Sequence, residues 1–140
     1  MNQPTDWVNS VKTARIVDTN VILRYILAEH EAHYHLARDF MLKVKNGTST
    51  AFVPESVVVE CVYVLLKVYR VPRVEISAQL GALLAYRGVM MDDKPVTLTA
   101  LQVFAERNVG MVDAWVFALS EARNWPLMSF DRALNKLKQR

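Results

Sequence analysis

Carboxylates stand at points of this sequence where local pattern predicts the end of a strand or the start of a helix. Asp18 follows the apolar segment "RIV", and Asp131 follows "LMSF". Asp113 lies near the start of "MVDAWVFAL", just after the loop "NVG". Ligands of parallel α/β sheets bind outside the carboxyl ends of the strands, so Asp18 and Asp131 are predicted to share one edge of a sheet. Each aspartate has a second interpretation as a helix N-cap, a position that Asp favours.

Glu60 is a fourth carboxylate, and it lies inside the apolar segment "VVVECVYVLL". It is not near a helix start, so capping does not explain it. A buried, unpartnered carboxylate costs on the order of several kcal/mol, and a cation shared with other acids would remove most of that cost. The alternative is a polar stripe facing solvent, because positions 56, 60, 63 and 67 recur at helical spacing. Together with the three aspartates, Glu60 predicts an oxygen-rich pocket for a hard cation such as Mg²⁺ or Mn²⁺.

The elements that must position these acids are predicted from apolar patterning. Four short segments are typical of buried strands: "ARIVD", "TAFVP", "VMMDD" and "PLMSF". Longer segments with helical spacing are "NVILRYILA", "HEAHYHLARDFMLKVKNG", "ESVVVECVYVLLKVY", "RVEISAQLGALLAYRG", "PVTLTALQVFAERN", "MVDAWVFALSEARN" and "DRALNKLKQR". Because strands alternate with helices, the sequence predicts parallel pairing in a layered α/β domain.

Length and composition limit the class of protein. The 140 residues suffice for one domain, which we place at residues 14–140 after a polar lead-in over residues 1–13. An apolar content of 52% excludes general disorder, and no apolar run approaches the roughly 18 residues of a membrane helix. The start lacks a signal-peptide pattern, and the single Cys61, interpreted as a core residue, fits a reducing cytoplasm. A net charge of +3 is compatible with an anionic partner.

The acidic segments together resemble a known family. "RIVDTNVILRYIL", "VVVECVYVLL", "VDAWVFALSEA" and "LMSFDRAL" are similar to the four acidic motifs of the PIN domain, in particular those of VapC-type ribonuclease toxins from bacterial toxin–antitoxin pairs. The resemblance covers residues 14 to 137. It implies a three-layer α/β/α sandwich with a central, mainly parallel sheet. It also implies a metal-dependent nuclease that cleaves RNA.

The resemblance assigns roles to individual residues. It implies an acidic quartet formed by Asp18, Glu60, Asp113 and Asp131, with Asn20 and Ser129 as supporting polar residues. We expect Asp18 and Asp113 to bind Mg²⁺ directly, with Mn²⁺ able to substitute. Glu60 and Asp131 are expected to bind it directly or through water. Arg24, one helical turn beyond Asn20, is the candidate for contact with nucleic acid.

Partners and alternative functions follow from the same comparison. We expect an RNA substrate, a small cognate antitoxin and no membrane. A homodimer is expected because "NVILRYILA" and "VVVECVYVLLKVY" are apolar over more than one face. The alternatives are a PIN nuclease in RNA processing without a toxin role, and a non-catalytic PIN-fold binding or scaffold domain, against which the intact quartet argues. One departure is that family members often close with another strand, whereas no apolar segment follows "LNKLKQR".

Overall fold

A computed structural model describes residues 14–29 and 31–139. Its strands are Arg15–Ile16 (β1), Ala51–Phe52 (β2) and Val89–Met90 (β3). Its helices are Thr19–Leu27 (α1), Glu31–Asn46 (α2), Glu55–Lys67 (α3), Arg73–Leu84 (α4), Lys94–Glu106 (α5), Met111–Arg123 (α6) and Arg132–Lys138 (α7). The proposed lead-in over residues 1–13 lies outside the described residues. Among the described helices, none combines the length and hydrophobicity that crossing a bilayer requires.

The three described strands form one parallel sheet in the order β1-β2-β3. Arg15 pairs with Ala51, and Phe52 pairs with Met90. Parallel neighbours need crossover connections, and helices supply them: α1 and α2 lie between β1 and β2 in the chain, and α3 and α4 lie between β2 and β3. The predicted α/β fold with a mainly parallel sheet is therefore confirmed.

The chain divides into two compact units. Unit 1 contains the described residues up to Cys61 together with Ala82–Asp92, and so holds the whole sheet. Unit 2 contains Val62–Gly81 and the residues from Asp93 onward. The prediction of a single domain over residues 14–140 stays a prediction.

Each unit has its own buried apolar side chains. Those of unit 1 include Val17, Ile22, Met41, Val44, Val53, Val58 and Leu84. Those of unit 2 include Leu65, Ile76, Leu80, Leu101, Phe104, Leu134 and Leu137. In both units these residues come from segments that the sequence predicted to be helices or strands. Burial of their apolar surface is the main favourable term in folding.

The strand predicted at "PLMSF" is wrong: the structure has no strand over residues 126–130. A strand needs a neighbour to pair its backbone groups, and here those groups bond to nearby side chains. The Ser129 carbonyl accepts from Asn135 Nδ2 at 2.8 Å, and the Trp125 carbonyl accepts from the Ser120 hydroxyl. The apolar side chains stay outside the core, with Phe130 93% exposed.

Candidate active site

Asp18 is placed by the end of β1 and the start of α1. The chain leaves the strand at Val17, whose N–H donates to the Phe52 carbonyl at 3.0 Å. Asp18 then adopts an extended conformation and caps α1, with Oδ1 accepting from the Val21 N–H at 3.1 Å. The capping interpretation of Asp18 is confirmed. It does not exclude a metal role, because the cap occupies one carboxylate oxygen and the side chain is exposed.

Glu60 lies on the exposed face of α3. The residues at positions 56, 60, 63 and 67 are all exposed, as the polar-stripe interpretation predicts. The cost of burial is therefore no reason for Glu60 to need a cation. Any such role for Glu60 depends on which other charges lie near it.

The buried thiol of Cys61 lies under the influence of two carboxylates, Glu60 and Asp18. Cys61 Sγ lies 4.0 Å from the Thr19 carbonyl, so this turn of α3 packs against the first residue of α1. Burial, then the charge of Glu60, then the charge of Asp18 raise the pKa of the Cys61 thiol to about 12. Both carboxylates therefore lie close enough to one thiol to disfavour its thiolate. Unit 1 brings Asp18 and Glu60 into one neighbourhood, and it leaves Cys61 a protonated core residue.

A groove of about 410 Å³ runs beside Asp18 in unit 1. Asn20 and Arg24 line it from α1, and Leu36 and Phe40 line it from α2. Arg15 and His33 also line it, and sequence reasoning missed both. The guanidinium of Arg15 lies 5.7 Å from the centre of the Phe40 ring, which packs a cation against an apolar wall. The only sequence signal for Arg15 was its place at the start of the strand that ends beside Asp18.

Asp113 lies in unit 2, half-buried in the first turn of α6. Gly110 is the N-cap of this helix and supplies no side-chain hydrogen bond. An acid in a first turn interacts favourably with the positive end of the helix dipole. Asp113 therefore does not cap α6, and the capping interpretation is wrong for this residue.

Asp131 also lies in unit 2, and it caps α7. Its Oδ1 accepts from the Leu134 N–H at 2.9 Å, which confirms the capping interpretation. Its own N–H donates to Ser129 Oγ at 3.0 Å. Ser129 therefore fixes the backbone that carries Asp131, and its supporting role at a metal site stays a prediction.

The chemistry of these donors fits a hard cation, although their grouping is incomplete. Carboxylate oxygens are the ligands that Mg²⁺ prefers. Within residues 14–29 and 31–139, no salt bridge neutralises Asp18, Glu60, Asp113 or Asp131. The described residues contain no group of three or more His, Cys, Asp or Glu side chains that could hold a metal ion. The structure thus brings together Asp18 and Glu60 in unit 1, and the full quartet stays a prediction.

Comparison with known protein families gives a match over nearly all of the described residues. The family described as "PIN domain" matches residues 15–139, a range that includes all four acids with Asn20 and Ser129. No curated protein matches the sequence.

Proposed function

Because the chain belongs to the PIN domain family, whose members are generally nucleases, we propose that it is an Mg²⁺-dependent endoribonuclease that hydrolyses RNA phosphodiester bonds. The observation that carries the proposal is the family match, which spans every acid of the predicted quartet. The neighbourhood of Asp18 and Glu60 around one thiol supports it further. Two like charges held together at a protein surface attract a divalent cation.

The proposed roles follow from what each side chain does in its own unit. Asp18 offers the oxygen that its cap leaves open, and Glu60 adds a second carboxylate nearby. Asp113 is the other preferred direct ligand, and Asp131, held by Ser129, binds directly or through water. When bound, the cation offsets phosphate charge and makes water a better nucleophile at neutral pH. Mn²⁺ has the same oxygen preference and is expected to substitute.

The groove in unit 1 supports RNA as the substrate. Arg15 and Arg24 line it together with Asp18, so cations flank the proposed reacting centre. Lys and Arg side chains that neutralise phosphates supply most of the non-specific affinity of proteins for nucleic acids. Asn20 lies in the same groove and is placed to orient a carboxylate or a water molecule.

The metal dependence has a direct test. We expect the purified protein to cleave RNA, EDTA to abolish cleavage, and added Mg²⁺ or Mn²⁺ to restore it. The control is an Asp113→Asn variant purified in the same way, which detects a contaminating ribonuclease. Cleavage that persists in excess chelator, or that is equal in the variant, contradicts the proposal.

We further propose that the protein is the toxin of a type II toxin–antitoxin pair and acts in the cytoplasm. The motif resemblance to VapC-type toxins supports this role. So does the groove of unit 1, where the exposed Leu36 lies beside Arg15, Asp18 and Arg24. An amphipathic antitoxin helix fits such a groove, and an arginine on it would pair with the acids.

Expression of the protein should arrest growth, and co-expression of a short neighbouring gene should relieve the arrest. Growth without arrest despite RNA cleavage in vitro would favour the RNA-processing alternative.

A further inference from the structure

Arg73, the first residue of α4, places its guanidinium among backbone carbonyls of unit 2. Its Nη1 donates to the carbonyls of Phe104 at 3.1 Å, Arg107 at 3.3 Å and Val109 at 2.6 Å. The guanidinium carbon lies 4.4 Å from the centre of the buried Phe104 ring.

These contacts fix the connection between α5 and α6. The last carbonyls of a helix have no partner within it, and the negative end of its dipole attracts a cation. Arg73 satisfies the Phe104 carbonyl at that end of α5 and the Arg107 carbonyl at its C-cap. Through Val109 it also holds the residue just before Gly110, where α6 begins.

The start of α6 depends on this support because Gly110 provides no side-chain cap. The first backbone bond of the helix runs from the Ala114 N–H to the Gly110 carbonyl at 3.0 Å. Asp113 lies within that turn. A displacement of Val109 and Gly110 would therefore move the carboxylate of Asp113 together with the backbone that carries it.

We propose that Arg73 is a positioning residue that holds Asp113 in place for Mg²⁺; the inference rests on the proposed nuclease function. An arginine suits this role because its guanidinium donates from Nη1 to carbonyls on both sides of a loop while its planar face stacks on the Phe104 ring. A lysine keeps the charge and loses the planar face that stacks on Phe104.

The test compares two Arg→Lys variants of the full-length protein. Arg73→Lys removes the proposed support, and Arg70→Lys makes the same change at an exposed position of unit 2. We measure Mg²⁺ affinity without RNA by calorimetry, and the hydrogen-exchange rate of the Ala114 amide by NMR. We expect Arg73→Lys to weaken Mg²⁺ binding roughly 10–100-fold, the usual effect of losing a group that orients a ligand. Ala114 exchange should be faster by at least about tenfold, with amides of α2 unchanged and Arg70→Lys like the wild type.

A rescue variant separates positioning from general stability. Gly110 has φ −70° and open space at its Cβ, so a serine fits there and can cap α6. Arg73→Lys/Gly110→Ser should recover part of the Mg²⁺ affinity and slow Ala114 exchange. If Arg73→Lys does not fold, Arg73→Lys/Gly110→Ser is tested in its place and compared with Gly110→Ser. We then expect the double variant to bind Mg²⁺ more weakly than Gly110→Ser.

Two results would contradict the inference in different ways. If Arg73→Lys binds Mg²⁺ as strongly as the wild type, the role of Arg73 is overturned and the proposed function stands. The same holds if the double variant, used in its place, binds Mg²⁺ as strongly as Gly110→Ser. Absence of Mg²⁺ binding by the wild type overturns the proposed function and the inference together.

Discussion

Asp18 combines a structural bond with a proposed chemical role, and one substitution separates them. Asp18→Asn keeps an oxygen that can accept from the Val21 N–H, and Asn caps helices about as well as Asp. We expect the free energy of unfolding to change by less than about 0.5 kcal/mol while RNA cleavage is lost. Asp18→Ala should lose cleavage and about 1 kcal/mol of stability as well. Urea denaturation and a cleavage assay measure the two effects.

A matched control for that substitution is Asp93→Asn. Asp93 caps α5 in the same way, accepting from the Val96 N–H at 3.1 Å. It also pairs with Arg123 at 3.0 Å, so some stability is lost there without any loss of cleavage. Cleavage by Asp18→Asn at the wild-type rate would show that Asp18 is only a cap.

Glu60→Gln tests the second carboxylate of unit 1. Glu60 is exposed, and its charge acts on the same thiol as that of Asp18, so the metal-free protein holds two like charges near each other. Removing one charge should abolish or strongly reduce cleavage while stability is unchanged or raised. Added Mg²⁺ should raise the melting temperature of the wild type, and it should do so less for this variant.

The control for Glu60→Gln is Glu75→Gln, an exposed glutamate of α4. It should keep both full cleavage and the full Mg²⁺ melting shift. If Glu60→Gln behaves like this control, Glu60 belongs only to the polar stripe of α3, and the quartet is reduced to three acids.

Cys61 gives a pH dependence whose sign follows from its pKa. Burial, with Glu60 and Asp18, raises the pKa of the thiol from 9.0 to about 12. The folded protein holds this proton more tightly than the unfolded chain. The stabilisation is therefore complete below pH 9 and is lost as pH rises toward 12, by roughly 4 kcal/mol over the interval. In EDTA, the free energy of unfolding should fall more steeply in this range for the wild type than for Cys61→Ala. Equal slopes would contradict the assigned pKa.

Gly88, which precedes β3, makes the entry to that strand sensitive to one methyl group. A Cβ at this position would meet the Ser49 carbonyl oxygen and would lie 2.8 Å from the Val44 carbonyl oxygen. Both are backbone atoms that cannot rotate away. We therefore expect Gly88→Ala to destabilise the protein by about 1–3 kcal/mol or more in urea denaturation.

Gly81, in the body of α4, is the matched control for Gly88. A Cβ there meets nothing within 4 Å. Gly81→Ala should raise stability by about 0.4–1 kcal/mol, because alanine restricts the unfolded chain and favours the helix. If the two substitutions change the free energy of unfolding by similar amounts, the backbone around Gly88 must shift to accommodate the methyl group.

At the scale of elements, the sequence predicted what local chemistry determines. All seven described helices were predicted, since their apolar residues recur at helical spacing. Four strands were predicted, and three of them are present in the described residues. The fourth failed because an apolar segment such as "PLMSF" does not reveal which strand would pair with it, and Asn135 bonds the Ser129 carbonyl of this segment instead. Pairing is a long-range property that a local pattern cannot contain.

For the candidate site, too, the sequence predicted the local features and not the long-range contacts. The caps of Asp18 and Asp131 follow from their positions before helices, and the structure has both. The neighbourhood of Asp18 and Glu60 was inferred from chemical need, and it arises because Cys61 packs against Thr19. The role of Arg73 in unit 2 was not predicted from the sequence. Its carbonyl partners lie more than thirty residues away in the chain, where no local pattern could indicate them.

At the scale of the whole molecule, the two most exposed large apolar side chains of the described residues lie in one segment of unit 2. Trp125 is 61% exposed, Met128 is 83% exposed and Phe130 is 93% exposed. By contrast, the apolar residues of α1 and α3 that favoured a dimer in the sequence are largely buried or half-buried. Large apolar side chains exposed in this way can mark sites of association. The 125–130 segment is therefore the best candidate for contact with a second copy of the chain.

This leads to a prediction about self-association. We expect a homodimer at micromolar concentration in analytical ultracentrifugation, because large side chains such as Phe130 gain about 1.5–3 kcal/mol each when they leave water. Met128→Ser and Phe130→Ser should weaken it, whereas Val68→Ser, a change outside that segment at a residue that is 65% exposed, should not. Neither of the first two variants should lose folded stability, since their side chains contribute little to a core. A wild type that stays monomeric, or equal effects at Val68 and Phe130, would contradict dimerisation through this segment. The exposed apolar surface would then be available for another partner, and the antitoxin would be the first to test.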